Sequence, residues 1–240
     1  MAEISERSAR AFAQGIAAFW EARLGARLLG VYVIGSLAHG GFSGRYSDID
    51  MALVAEGGVT PPDLEAMRAH ANALAHDHAA KLSLFWTDRG FSAGRMPPLD
   101  RVDYLDHAMP LIERERVRPA RPALAAIRAY LAGQPFANWA DGARGFSALA
   151  ALRPEDHKPY IRALLYPARF VYSWHTGRMA SNDAAVDFLN TDAPAGLDLD
   201  LIGRALACRQ QARDPDLLFA ERATLLRQIE ACATLLAAAG

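Results

Sequence analysis

Two short apolar runs, Leu28–Ile34 (LLGVYVI) and Asp48–Val54 (DIDMALV), most constrain the fold of this chain. The first is rich in branched residues and too short for a helix. The second alternates in polarity, and both read as strands. Between them lies a glycine- and serine-rich connection, GSLAHGGFSGRYS. The flanking sequence completes an α/β order. Ser5 to Leu28 carries Ala11, Phe12, Ile16, Phe19, Trp20 and Leu24 near helical spacing. Pro61 to Ala80 opens on Pro-Pro-Asp and carries Leu64, Met67, Ala71 and Leu74, which predicts a helix with an acidic, proline-marked start. Leu82–Thr87 (LSLFWT) is a third strand. A loop-rich stretch follows Asp88, and Leu111–Arg118 (LIERERVR) is a further short strand.

From Pro122 onward the character changes. Helical patterns run through Ala123–Leu131, Phe146–Leu152, Tyr160–His175, Ala184–Leu189, Leu199–Ala212 and Leu217–Ala238, with Pro, Gly and Asp breaks between them. The expected organisation is an α/β domain over residues 1–118 and an all-helical domain over 119–240.

With 26 basic and 27 acidic residues the formal net charge is −1, which argues against a mainly electrostatic nucleic-acid binder. The two cysteines, Cys208 and Cys232, sit in Ala/Leu-rich helical sequence without metal-site spacing and are expected to be buried thiols. No early apolar run follows a basic start and no run of 18 apolar residues occurs, so no membrane span is expected and the default compartment is the cytoplasm. Oligomeric state has no signature in the sequence.

The chemistry-bearing residues cluster around the first connection. Asp48 and Asp50 stand at i and i+2 on a predicted strand, so both side chains point to one face about 7 Å apart. Carboxylates placed that way can bind Mg²⁺, which takes oxygen ligands and retains phosphate and water in its shell. Gly35-Ser36, closing the preceding strand, offers close backbone approach, a hydroxyl and amides to phosphate oxygens. A hairpin whose solvated face carries two aspartates is the plainer alternative. The full order of strand, Gly-Ser, spacer and Ser-Asp-Ile-Asp entering an apolar strand favours the site.

The stretch GSLAHGGFSGRYSDIDMALV resembles the active-site signature of the polymerase-β-like nucleotidyltransferase superfamily. Within it, the chain looks most like the aminoglycoside (3'')(9) adenylyltransferases, whose helical second domain is matched by ARFVYSWHTGRMASNDAAVDFL, Ala168 to Leu189. The resemblance implies a nucleotidyltransferase-fold domain with a mixed sheet, α/β in class, followed by a helical domain. It implies Mg²⁺-dependent transfer of AMP from ATP to a hydroxyl of a small molecule such as an aminoglycoside. A protein of this fold that binds a nucleotide or partner without turnover is the alternative.

Carried over residue by residue, Gly35, Ser36 and Ser47 would bind the nucleotide, and Asp48 and Asp50 would hold metal. Arg169 and Arg178 of the second domain would face the nucleotide. Glu155 and Asp156 would face a cationic acceptor. The family places a third carboxylate on the strand assigned to Leu82–Thr87. The matching residue here is Ser83, with Asp88 five residues on as the candidate substitute.

Overall fold

The computed structural model describes residues 4–238 and divides into two compact units, Met1–Pro122 and Ala123–Gly240. In the first unit α1 (Glu6–Leu24) starts at Ser5, whose hydroxyl accepts the Ser8 amide at 3.1 Å. It buries Phe12, Ile16, Trp20 and Leu24 along one stripe and stops at Gly25. Full burial of side chains such as Ile16 contributes about 2–3 kcal/mol each by transfer from water. Then come β1 (Leu28–Val33), the short α2 (Ser36–His39), β2 (Ile49–Ala55), α3 (Pro61–Leu74), α4 (His76–Ala79), β3 (Leu82–Asp88), β4 (Gly94–Arg95), α5 (Pro98–His107) and β5 (Met109–Glu113).

The five strands form one mixed sheet in the order β4-β3-β2-β1-β5. β1 runs antiparallel to β2 and to β5, whereas β2 and β3 are parallel, with Asp50 opposite Ser83 and Ala55 opposite Asp88. Val33, Met51, Leu53 and Leu84 face α1 and α3 in one buried layer. Tyr32, Ala52, Val54 and Phe85 face the other way, toward Tyr104 of α5 and the loop residues Phe91 and Met96. By strand parity Asp48, Asp50 and Ser83 belong to this second face.

Two elements differ from the sequence reading in ways that matter. The predicted helix Pro61–Ala80 breaks at the extended residue Ala75 into α3 and α4. The stretch read as loop contains the ten-residue α5, whose apolar face of Val102, Tyr104 and Leu105 is interleaved with Asp100, Asp103 and Asp106. Those aspartates mask the helical period.

The start of α3 is a reciprocal cap. Thr60 Oγ1 accepts the Asp63 amide at 3.4 Å, and Asp63 Oδ2 accepts the Thr60 amide at 3.0 Å. Asp63 is 5% exposed and also accepts from the Thr60 hydroxyl at 2.7 Å and from Arg23 Nε at 2.7 Å. These donors, the Thr60 hydroxyl and amide first and Arg23 after them, hold its pKa down to about 2. Because the folded value lies below the unfolded one, the stabilisation is complete above the ordinary carboxylate range and is lost as pH falls toward 2. Asp63→Asn is expected to cost about 2 kcal/mol at neutral pH. In urea melts across a pH series, the gap between variant and parent should close as pH drops from about 4 toward 2.

The second unit is all-helical: α6 (Leu124–Ala132), α7 (Gln134–Ala148), α8 (His157–Thr176), α9 (Asn182–Leu189), α10 (Leu199–Gln210), α11 (Asp216–Phe219) and α12 (Thr224–Ala237). The boundary between the units falls at Pro122/Ala123, a few residues beyond 118/119. α8 is central and packs against α6, α7, α9, α10 and α12. Tyr160, Leu164, Ala168 and Val171 of α8 are buried. Trp139 Nε1 donates to the Ala163 carbonyl at 2.9 Å and Tyr160 Oη to that of Leu218 at 3.1 Å, so both polar tips are satisfied inside the core. Cys208 and Cys232 are buried and free, and burial pushes the Cys232 thiol up to about 12. No helix among the described residues is long and apolar enough to cross a membrane.

Candidate active site

β1 delivers the chain to Gly35 at the edge of the second sheet face. The Ile34 amide donates to the Asp50 carbonyl at 3.0 Å, which ties the end of β1 to the start of β2. Gly35 then adopts φ 64°, ψ −154°, a conformation that side-chain-bearing residues avoid. A Cβ placed there would lie 2.4 Å from Asp50 Oδ2 and 3.0 Å from Asp50 Cβ. The Asp50 carboxylate therefore rests against the bare face of Gly35. The Gly35 carbonyl accepts the Ala38 and His39 amides at 2.9 and 3.0 Å, turning the chain into α2.

Ser36 Oγ donates to Ser47 Oγ at 3.0 Å, and Ser47 Oγ accepts the Ser43 amide at 2.9 Å. Ser47 is thus an internal brace of the connection, holding Ser36 while Asp48 follows it into β2. Lys81, just before β3, closes the same loop from the other side. Its Nζ donates to the Gly44 carbonyl and, at 2.9 Å, to that of Arg45. The Ile49 amide donates to the Lys81 carbonyl at 2.8 Å.

Asp48, Asp50 and Ser83 share one face, and the register sets Ser83 directly beside Asp50. The third position on that face is therefore a hydroxyl. Asp88 does not replace it. It lies five residues along β3, about 16 Å from Ser83, and its parity is that of Leu84 and Trp86 on the α1/α3 side. Its carboxylate accepts from the Ser92 amide at 2.8 Å, the Ser92 hydroxyl at 2.6 Å and the Ala93 amide at 3.2 Å, which together hold its pKa below the usual range. Asp88 anchors the turn into β4, and its candidacy as third catalytic carboxylate is corrected accordingly.

The acidic group that does reach Gly35 comes from α5. Asp103 is 2% exposed; its Oδ2 accepts the Gly35 amide at 2.7 Å and its Oδ1 pairs with His107 Nδ1 at 2.9 Å. The rings of His107 and His39 meet edge-on with centroids 5.3 Å apart. Asp103 and Asp50 thus grip the same glycine, one by its amide and one against its α-carbon. Nothing in the reading of the region as loop could find Asp103. The Pro97-Pro98 start with Asp100 in the first turn was the one available helix signal. Asp103→Ala leaves a buried amide and an imidazole without their acceptor, and is expected to cost about 1–3 kcal/mol. Thermal melts and amide hydrogen exchange at Gly35 and Ser36 check it, with faster exchange confined to that turn at temperatures where the sheet is intact.

An open cleft of about 630 Å³ lies chiefly on the α1/α3 side of the sheet, bounded by α3, the end of α4, Leu82, Leu84 and Trp86 of β3 and Arg95, with Asp48 and Ser83 at its border. Its charged side chains are Asp48, Arg68 and Arg95. Asp48 and Asp50 fit a hard divalent cation such as Mg²⁺: both are oxygen donors and they share one face, with the Asp50 carboxylate lying against Gly35.

In the second unit, Arg169 is exposed on α8. Gly177 ends that helix in the left-handed region at φ 65°, and its amide donates to the Ser173 carbonyl at 2.9 Å. Arg178 follows, exposed, with its carbonyl accepting from Ser173 Oγ at 2.7 Å. Glu155 and Asp156 are engaged locally at the entry to α8. Arg153 Nε reaches Asp156 Oδ2 at 3.0 Å, Arg153 Nη1 reaches Glu155 Oε1 at 3.3 Å, and the Arg153 amide donates to Asp156 Oδ2 at 3.1 Å. The pair forms a helix-start clasp with Arg153. Nearby, His157 lies between Asp214, 2.9 Å from Nδ1, and Asp216, 3.6 Å from Nε2. The Nδ1 contact is within hydrogen-bonding distance, and Asp216 stands just beyond it on the other side of the ring.

No family model matches this chain, and no curated protein matches it. Among solved structures, it is similar to the spectinomycin adenyltransferase AAD(9) from Enterococcus faecialis, crystallised with ATP and spectinomycin. The TM-score is 0.64 at 11% identity, over 92% of this chain and 99% of that chain. At that identity the likeness is one of fold: a mixed five-stranded sheet followed by a helical region, as the sequence resemblance implied.

Proposed function

We propose that this protein is a Mg²⁺-dependent nucleotidyltransferase that moves a nucleotide, AMP from ATP, to an oxygen of a small-molecule acceptor. The observation that carries this is Asp50 seated against Gly35, with Asp48 on the same face and Ser36 braced by Ser47. The AAD(9)-like fold supports the reaction class.

In this reading Ser36 binds the triphosphate from the turn that Gly35 permits, and Asp48 and Asp50 hold the cation. Mg²⁺, when bound, supplies charge neutralisation on the triphosphate as pyrophosphate leaves. Asp103 fixes the turn from behind, so the phosphate-facing groups are held in place before substrate arrives. Arg169 and Arg178 are the second unit's candidates for the nucleotide. The resemblance implies an aminoglycoside hydroxyl as acceptor, which needs a base to take its proton, and Ser83 cannot serve as one near neutral pH.

Incubation with α-labelled ATP, Mg²⁺ and a panel of acceptors tests the reaction class by transfer of label. A Mg²⁺-dependent thermal shift with ATP that is lost in Asp48→Asn, without transfer to any acceptor, would instead identify a nucleotide-binding protein. The Ser83 position is the specific observation that keeps this second reading open.

A further inference from the structure

The second unit holds a cluster of metal-ligating side chains that the proposed transfer reaction does not use. His157, at the start of α8, meets Asp214 and Asp216 from the link between α10 and α11, and one ligand atom from each of the three lies within 4.8 Å of the others. Among the described residues no other three such side chains converge in this way. His157 is 7% exposed, whereas both aspartates are exposed, so the group opens to solvent on one side. Its frame is fixed independently of these three side chains. One turn along α8, Tyr160 Oη donates to the Leu218 carbonyl of α11 at 3.1 Å, and its ring meets that of Phe219 edge-on. From the other side the Arg213 amide donates to the Cys208 carbonyl of α10 at 3.0 Å. Between the aspartates Pro215 is buried, and its ring restricts the backbone that presents them.

The two imidazole nitrogens meet their carboxylates differently. Nδ1 lies 2.9 Å from Asp214 Oδ1, a hydrogen bond to an acceptor-only group, so Nδ1 carries the proton. In the neutral ring Nε2 then presents a lone pair toward Asp216 Oδ1, 3.6 Å away. That separation is too long for a hydrogen bond. It matches the distance of about 3.3–3.6 Å between two ligands on one tetrahedral ion with bonds of roughly 2.0–2.2 Å. We infer that His157 Nε2 and Asp216 hold a divalent cation of the zinc class, with water completing its shell and Asp214 orienting the imidazole from behind. An imidazole nitrogen selects Zn²⁺ and its first-row neighbours, whereas the all-oxygen pair of Asp48 and Asp50 suits Mg²⁺. The ion clips the α10–α11 link to the start of α8, and its binding free energy adds to the stability of the second unit.

The test titrates Zn²⁺ and Co²⁺ into the full-length protein carrying Asp48→Asn and Asp50→Asn, so that the first unit's carboxylates do not contribute. Calorimetry should show one saturable Zn²⁺ per chain, with a Zn²⁺-dependent rise in melting temperature and no displacement by excess Mg²⁺. Co²⁺ should give the visible d–d band of a tetrahedral site, and Zn²⁺ should bleach it. Asp216→Asn, at an exposed position, should abolish saturable binding, as should His157→Gln. Asp214→Asn should weaken it about tenfold by loosening the ring. Absence of saturable Zn²⁺ binding overturns the inference. So does binding that survives Asp216→Asn unchanged, binding that Mg²⁺ displaces, or binding that appears only when Asp48 and Asp50 are intact. Should His157→Gln fail to fold, Asp216→Asn decides alone.

Discussion

Asp50→Asn is expected to lower nucleotide transfer by several hundred-fold while leaving the fold intact. The substitution keeps shape and removes one charge. At a preorganised site, loss of one electrostatic group costs roughly 3–4 kcal/mol of transition-state stabilisation. Asp50 is also the inner carboxylate, lying against Gly35 in the strand that pairs with Ser83. Asparagine can lie against the same glycine, so the unfolding midpoint without ligand should shift little. The ATP-induced thermal shift in Mg²⁺ should largely disappear. Initial rates with α-labelled ATP, measured beside melts with and without Mg²⁺, separate these effects. A variant with unchanged transfer and an unchanged Mg²⁺-dependent shift would remove Asp50 from the site.

Gly35→Ala should be the most damaging single-methyl change in the first unit. The residue sits at φ 64°, ψ −154°, and the added Cβ would stand 2.4 Å from Asp50 Oδ2. Backbone strain and the contact together are expected to cost about 3 kcal/mol or more, a fall in melting temperature of roughly 10 °C for a unit of this size. Relief of the clash requires Asp50 to swing away, so nucleotide binding should fall even at temperatures where the protein is folded. Gly40→Ala is the control. That glycine also has positive φ, at 93°, but nothing stands within 4 Å of its Cβ position. It should therefore show strain without the loss of Mg²⁺-dependent nucleotide binding.

The residues of the candidate site were legible to different degrees, for reasons that can be stated. Gly35, Asp48 and Asp50 are local in sequence and bound by strand parity, so their shared face follows from counting residues. Ser83 required the parallel register of β2 and β3, which the strand pattern alone does not give, although alignment with the nucleotidyltransferase signature had put a third position there. Asp88 was a candidate only while the length and end of β3 were unknown. The strand runs through residue 88, so parity holds to its end and carries that carboxylate to the far side. Ser47, expected from the resemblance to contact the nucleotide, has a hydroxyl that braces Ser36 within the loop.

The α/β start, the helical second half and the pairing of Gly-Ser with Asp-x-Asp follow from periodicity and short-range spacing, which are properties of a few consecutive residues. What surrounds that pair comes from the folding of distant segments: Asp103, 68 residues beyond Gly35, closes on its amide. A buried carboxylate is tolerated on α5 because two donors meet it there. Which donors those are depends on the path of the whole sheet, which no short stretch of the chain contains.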